Sequence, residues 1–219
     1  MTGPFKNIIQ VNSLKASIKD LNHLLGNIDI YLLDQVLKGR FSKKFKILDA
    51  GCGEGRNLIY FVRNGYRVYG IDKNADAIAM LKYLVKSINK DYPPGRFTAG
   101  DIGALPYKNN EFDAIISSAV LHFAENEAHF KALVTESSRV LKSGGILFAR
   151  IATIIGMEDQ AKSLGSGKYL LPDGSVRFLL TRELLEYVTE YLGFEYVEPF
   201  KIVLVDGKRC MSTLVLRKT

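Results

Sequence analysis

The residues best suited to chemistry lie in the stretch Ile47 to Asn57, which reads ILDAGCGEGRN and has the layout of a strand, a glycine turn and a helix start. Gly51, Gly53 and Gly55 allow positive φ and let the backbone approach a small polar ligand without obstruction. Asp49 ends the strand two residues before the first glycine. A buried carboxylate there repels a dinucleotide's pyrophosphate and attracts an ammonium or sulfonium group. The third glycine also falls one residue early for the G-x-G-x-x-G dinucleotide fingerprint. Further along, VYGIDKN at Val68 to Asn74 reads as a second apolar strand ending in Asp72, at the offset where an acid meets ribose hydroxyls. Asp72 is thus a ribose ligand or the cap of a helix starting near Ala75. His122, four residues past Ser118, is either a general base at the mouth of a strand or a structural hydrogen-bonder. Cys52 fits a packed small residue better than a nucleophile, because no histidine lies nearby in sequence to activate it.

The segments ILDAGCGEGRN, GIDKN, GDIGALPY, FDAIISSAVLHF and LKSGGILFARI follow one another in this order. Over Phe45 to Ile151 the chain therefore resembles the class I S-adenosylmethionine-dependent methyltransferases. GRN followed by NGY and DKN, with the closing STLVLRK, is most similar to the tellurite-resistance branch of that superfamily. S-adenosylmethionine is a cationic nucleoside, as Asp49 asks; S-adenosylhomocysteine would be its product. The resemblance implies that Asp49, Ala50, Gly51, Cys52 and Gly53 run along the methionine part of the cofactor. It implies Asp72, with Lys73 beside it, at the ribose diol, and Asp101 with Ile102 at the adenine. Ser117, Ser118 and Ala119 would border the transferable methyl group, and Arg56 with Asn57 would serve the cofactor carboxylate or the substrate. These roles are chemically sound: a carboxylate such as Asp101 accepts from an exocyclic amine, and the Ile102 N–H donates to a ring nitrogen.

These residues need a frame to hold them. From Ile47 onward apolar runs near Ile47, Val68, Phe97, Phe112 and Ile146 alternate with helical segments near Leu58, Ala75 and Asn126, which predicts right-handed βαβ crossovers. Ile202 to Val205 and Arg209 to Leu216 flank Asp206 and Gly207 as a hairpin. The expected fold class is α/β: a Rossmann-like, mostly parallel seven-stranded sheet flanked by helices, with a C-terminal antiparallel hairpin. Leu14, Ile18, Leu21, Leu24 and Leu25 recur at helical spacing, and a second helix is expected over Ile28 to Leu37. In the superfamily such helices lie near the cofactor mouth, so Tyr31 or Asp34 would cap the site. The stretch Thr153 to Phe178, with its scattered glycines, reads as an inserted lid or as a disordered segment. The expected organisation is one domain: a helical cap at 1–44, a cofactor-binding core at 45–151, a lid or substrate insertion at 152–180, and a C-terminal helix and hairpin at 181–219.

With 219 residues, 47% of them hydrophobic, the chain suffices for one α/β domain with a substantial core. It has no apolar run of about eighteen residues and no signal-peptide pattern, so a cytoplasmic protein without a membrane partner is expected. Two cysteines, Cys52 and Cys210, form no zinc spacing, and no metal is expected. The net charge of +7 and the cluster Lys38, Arg40, Lys43, Lys44 and Lys46 raise a nucleic-acid surface or an anionic small substrate. The cluster lacks interleaved aromatics, and SSAV stands after Phe112 where an Asn-Pro-Pro-Tyr tetrad would suit a flipped base. The expected function is therefore methyl transfer by in-line displacement to a small-molecule acceptor. An RNA methyltransferase and a non-catalytic S-adenosylmethionine-binding protein are the alternatives. A soft anionic acceptor would need no base, and Arg56, Lys208 and Arg209 would attract it, although the last two also suit a solvated turn. Oligomeric state is not legible.

Overall fold

The computed structural model describes residues 17–219, so Leu14 and the rest of the cap before Ser17 lie outside the described residues. Ser17 opens helix α1 (Ile18–Leu25) with a reciprocal capping box: its hydroxyl accepts from the Asp20 N–H, and the Asp20 carboxylate accepts from the Ser17 N–H. The second helix, α2 (Ile30–Leu37), begins two residues later than the apolar spacing suggests. Asp29 accepts from the N–H groups of Tyr31 and Leu32, fixing the start there.

The central sheet follows, with β1 (Lys46–Ala50), α3 (Leu58–Arg63), β2 (Arg67–Asp72), α4 (Ala75–Ile88), β3 (Phe97–Ala99), β4 (Phe112–Ser118), α5 (Glu127–Val140) and β5 (Leu141–Ala152). β1 lies parallel between β2 and β4, β2 pairs parallel with β3, and β4 pairs parallel with β5. Runs such as Ile115 and Ile116 are apolar at successive positions because helices cover both faces. Leu48, Ile115 and Leu147 join one core with Leu133 and Val134 of α5. Ile47, Ala114 and Phe148 join the other with Phe61 of α3 and Leu81 of α4.

Between β5 and the C-terminal elements the chain forms a second, three-stranded antiparallel sheet of β6 (Lys162–Gly165), β7 (Lys168–Leu170) and β8 (Val176–Phe178). The disordered reading of Thr153 to Phe178 is thereby corrected. Its anchors are apolar and lie at its end: Phe178, Leu179 and Leu180 are fully buried, and the Phe178 ring stacks on Phe130 at 5.4 Å. Gly167 has φ +77°, and a Cβ there would stand 2.3 Å from the Phe178 ring. Gly167→Ala is therefore expected to cost about 1–3 kcal/mol in urea unfolding. A midpoint equal to that of the parent would show that the glycine is dispensable.

After α6 (Arg182–Glu186), which continues as a π-helical turn over Tyr187–Tyr191, come β9 (Phe194–Tyr196), β10 (Lys201–Val205) and β11 (Arg209–Lys218). β11 runs antiparallel to β5, and β10 with β11 forms the expected hairpin. The sheet order is β10-β11-β5-β4-β1-β2-β3, with β9 as an eighth strand beside β11. The seven-strand expectation differs by one because β9 and β10 are two pieces of one edge strand. β9 pairs with Leu216 to Lys218 and β10 with Arg209 to Thr213, and the break falls at Pro199, which has no N–H for the ladder. Among the described residues no helix is long and apolar enough to cross a membrane.

Candidate functional site

Strand order reverses at β1, whose neighbours β2 and β4 lead away to opposite sides of the sheet, and such a reversal leaves a crevice beyond the carboxyl ends of the strands. A cavity of about 590 Å³ opens there. The turn after β1 contributes Gly51, and the end of β2 gives Asp72, Lys73 and Asn74. Gly100, Asp101 and Ile102 follow β3; Ala119, Val120, Phe123 and Glu125 follow β4; His129 and Leu133 come from α5. The glycine turn is strapped to β2: the N–H groups of Gly51 and Cys52 donate to the Ile71 carbonyl at 2.8 and 3.1 Å. The Gly53 N–H donates to the Asp72 carboxylate at 2.8 Å. Gly51 has φ +86° and stands so close to Val120 that a Cβ would meet its side chain at 2.4 Å.

Of the two readings of Asp72, helix capping falls to Asn74, whose side chain accepts from the N–H groups of Asp76 and Ala77. Asp72 lies on the cavity wall and also accepts from the Asn74 N–H at 2.9 Å. Asp101 folds its own loop, accepting from the Gly103 N–H at 2.7 Å. Behind this loop Arg139 donates to the carbonyls of Leu105 and Tyr107 and pairs with Glu136, which accepts from the Leu105 N–H. No local pattern in the sequence points to this clamp behind the cavity loop.

Asp49 does not line the cavity but lies just behind Gly51. Its side chain is buried and Oδ2 has no partner among the described residues. Burial pushes its carboxyl up to about 7, with Asp72 adding repulsion and Arg56 opposing it. Cys52 is also buried, and burial, with the charges of Asp49 and Asp72, raises its thiol far above the ordinary range, which suits a packed residue and not a nucleophile. The Ser117 hydroxyl is buried without a partner among the described residues.

Ser118, Arg56 and Asn57 converge on a residue that the sequence reading did not single out. Asp29, itself 5% exposed, accepts from Arg150 at 2.6 Å and Ser118 at 3.4 Å, and has Arg56 at 3.7 Å. Its N–H donates to Asn57 Oδ1 at 3.0 Å. Tyr31 lies against Arg150, with the guanidinium 4.4 Å from the ring centroid. This network ties α2, the glycine turn, β4 and β5 together. Asp34 pairs instead with Lys38 and takes no part in the cavity.

His122, the candidate base, does not reach the cavity, whereas His129 does. His122 lies in a 3₁₀ turn over Leu121–Phe123, buried, outside the cavity lining, with Nδ1 unpartnered among the described residues. Burial, with Arg177 nearby, lowers it to about 4, so near neutral pH it is an uncharged and weak base. His129 does line the cavity, and its Nδ1 accepts from the Glu125 N–H at 3.2 Å, which leaves the proton of the neutral ring on Nε2. Asn126 caps α5 by accepting from the His129 N–H at 2.9 Å, which fixes where the helix carrying His129 begins. The basic cluster is largely engaged. Lys38 and Arg40 meet Glu198, Lys46 pairs with Glu111, and Lys43 lies over the Tyr66 ring. Lys208 pairs with Asp206 within the exposed hairpin turn.

The site thus joins a partnerless buried carboxyl, a carboxylate-lined rim and apolar walls from Ile102, Val120 and Leu133, which fits a cationic ligand with a flat apolar ring. Residues 48–149 match the family described as "Methyltransferase domain". An uncharacterized methyltransferase of Synechocystis is 32% identical over 46% of this chain and 44% of its own length. The probable S-adenosyl-L-methionine-dependent methyltransferase TehB of Haemophilus influenzae is 35% identical over 37% of this chain and 27% of its own length. The crystal structure of TehB covers 92% of this chain and 65% of its own at 23% identity, with a TM-score of 0.66. A Methanosarcina mazei structure titled as a SAM-dependent methyltransferase gives a TM-score of 0.68 at 20% identity, covering 84% of this chain and 96% of its own. The likeness of the two structures concerns the fold. The chain spans about half or less of the length of the curated relatives it first matches.

Proposed function

We propose, for a chain that belongs to the class I S-adenosylmethionine-dependent methyltransferases, that it transfers a methyl group to a small-molecule acceptor. It would work as one domain, with a cap at 1–44, a core at 45–151, a substrate insertion at 152–180 and a C-terminal part at 181–219. S-adenosylmethionine supplies, when bound, a methyl group on a positively charged sulfur that a nucleophile displaces in line, leaving S-adenosylhomocysteine.

The observation that carries this reading is the partnerless, buried Asp49 carboxyl behind the glycine turn, beside a cavity rimmed by Asp72 and Asp101. Asp49 stabilises the ammonium end, with Ala50, Gly51, Cys52 and Gly53 supplying backbone that lies close to the ligand. Asp72, with Lys73 adjacent, holds the ribose hydroxyls; Asp101 and the Ile102 N–H hold the adenine edge, and Ile102 and Leu133 cover its faces. Ser117, Ser118 and Ala119 form the border towards the acceptor. Arg56 and Asn57 act through Asp29, which they contact, in fixing the glycine turn. That His122 stays outside the cavity lining supports an acceptor that arrives already nucleophilic, so that the protein's task is to align it and exclude water.

Calorimetric titration with S-adenosylmethionine, S-adenosylhomocysteine and NADH, after removal of any copurified ligand, tests the reading. Binding of both adenosyl ligands without NADH supports it, and binding of NADH alone overturns it. Turnover with thiols, chalcogen oxyanions and RNA then separates small-molecule, RNA and non-catalytic roles. In the same assay Asp72→Ala is expected to weaken S-adenosylhomocysteine binding by about tenfold or more, or about 1.4 kcal/mol. The loss has two parts, because Asp72 also holds the Gly53 and Asn74 N–H groups. Unchanged affinity would remove Asp72 from the ribose site.

A further inference from the structure

The cavity's carboxylates, Asp72, Asp101 and Glu125, suit a cation and repel an anion. The turn Leu121–Phe123 has a different partner, because strand β8 of the small sheet packs against it. From β8 the Arg177 guanidinium lies 5.6 Å from the centroid of Phe123, a ring that lines the cavity and is 59% exposed. Arg177 is half-buried and donates to the carbonyl of Val176 at 3.1 Å; among the described residues no carboxylate pairs with it. Asp173 feels its charge without forming an ion pair. Among the described residues an unpaired guanidinium thus lies against an open aromatic ring of the cavity wall, while His122, which does not line the cavity, is buried in the same turn.

We propose that Arg177 and Phe123 form the acceptor subsite, and that the acceptor class is a small aromatic or conjugated acid whose carboxylate or oxyanion is held by the Arg177 fork while its flat body lies on Phe123. This rests on the methyl-transfer reading and adds the substrate class to it. Guanidinium meets a carboxylate with two parallel donors, a match that a neutral amide of the same shape cannot make. The aromatic face supplies contact area, and its electron-rich surface does not favour an anion. Charge selectivity therefore belongs to Arg177, and general affinity to Phe123.

The test uses the full chain saturated with S-adenosylhomocysteine and titrated calorimetrically with benzoate and, separately, with benzamide. Benzoate is expected to bind at least about tenfold more tightly than benzamide. Arg177→Gln, which removes the charge but leaves a polar side chain, is expected to erase that preference, and Arg177→Lys to restore only part of it. Equal affinities for the two probes, no measurable benzoate binding, or a preference that survives Arg177→Gln each overturn the proposal. A parent protein that binds S-adenosylhomocysteine but fails these tests loses only the acceptor assignment. A parent that does not bind S-adenosylhomocysteine loses the methyl-transfer reading itself. Thermal unfolding of both variants confirms that they are folded before the titrations are compared.

Discussion

Asp49→Asn is expected to stabilise the ligand-free protein at pH 8 while abolishing its affinity for S-adenosylmethionine. Burial lifts the folded carboxyl from 3.8 to about 7. Between those values the folded chain holds a proton that the unfolded chain has released, so stability falls as pH rises through this window. The loss is complete above pH 7 and amounts to at most about 4 kcal/mol. Asparagine keeps the shape without a charge to bury, so the variant should match the parent near pH 4 and exceed it at pH 8. Its binding should fail, because an amide does not compensate an ammonium group. Parent binding should weaken about tenfold for each pH unit below 7, as Asp49 must ionise to act. Thermal unfolding at pH 5 and pH 8 with parallel titrations decides it: a stability difference that does not change with pH, or retained affinity, would refute the assignment.

Asp29→Ala should have the largest effect on stability itself. The substitution leaves the Arg150 guanidinium, 2.6 Å away in the parent, without its carboxylate, and frees the N–H groups of Tyr31 and Leu32 that begin α2. Breaking one side of a buried ion pair costs about 3–5 kcal/mol, and a lost helix cap about 1 kcal/mol more. Asp29→Asn keeps the cap and a neutral partner for Arg150, so it should lose markedly less. Urea unfolding of both variants measures the difference. A loss of less than about 1 kcal/mol in the alanine variant would mean that Tyr31 and solvent suffice to hold Arg150.

The parallel core was legible because its strands are covered on both faces: Ile47 with Leu48 and Ile115 with Ile116 read as strands by apolarity alone. Asp206 and Gly207 marked the hairpin through turn chemistry. The glycine turn and Asp72 were found in sequence because their contacts are local to one βαβ unit. Other features depended on contacts that no local pattern carries. Asp29 and Arg150 stand far apart in the chain, and Arg139 supports a loop more than thirty residues away. The small sheet escaped because its strands are three or four residues long, too short to show a period, and all four residues of β6 are exposed. Lys38 and Arg40 before β1 looked free because a carboxylate they share, Glu198, arrives from the far end of the chain.

The interruption of the outermost strand at Pro199 also limits how molecules meet one another. An unbroken ribbon from Phe194 to Val205 would offer neighbouring molecules a long row of unsatisfied amides, ready to seed intermolecular sheet. Pro199 removes one of those amides, and Glu198, held by Lys38 and Lys201, sets a fixed charge beside the gap. What remains adhesive is short, the stretch from Ile202 to Val205, whose apolar side chains stand partly open to solvent. The same residues that complete the fold thus shorten the ladder with which a second molecule could pair.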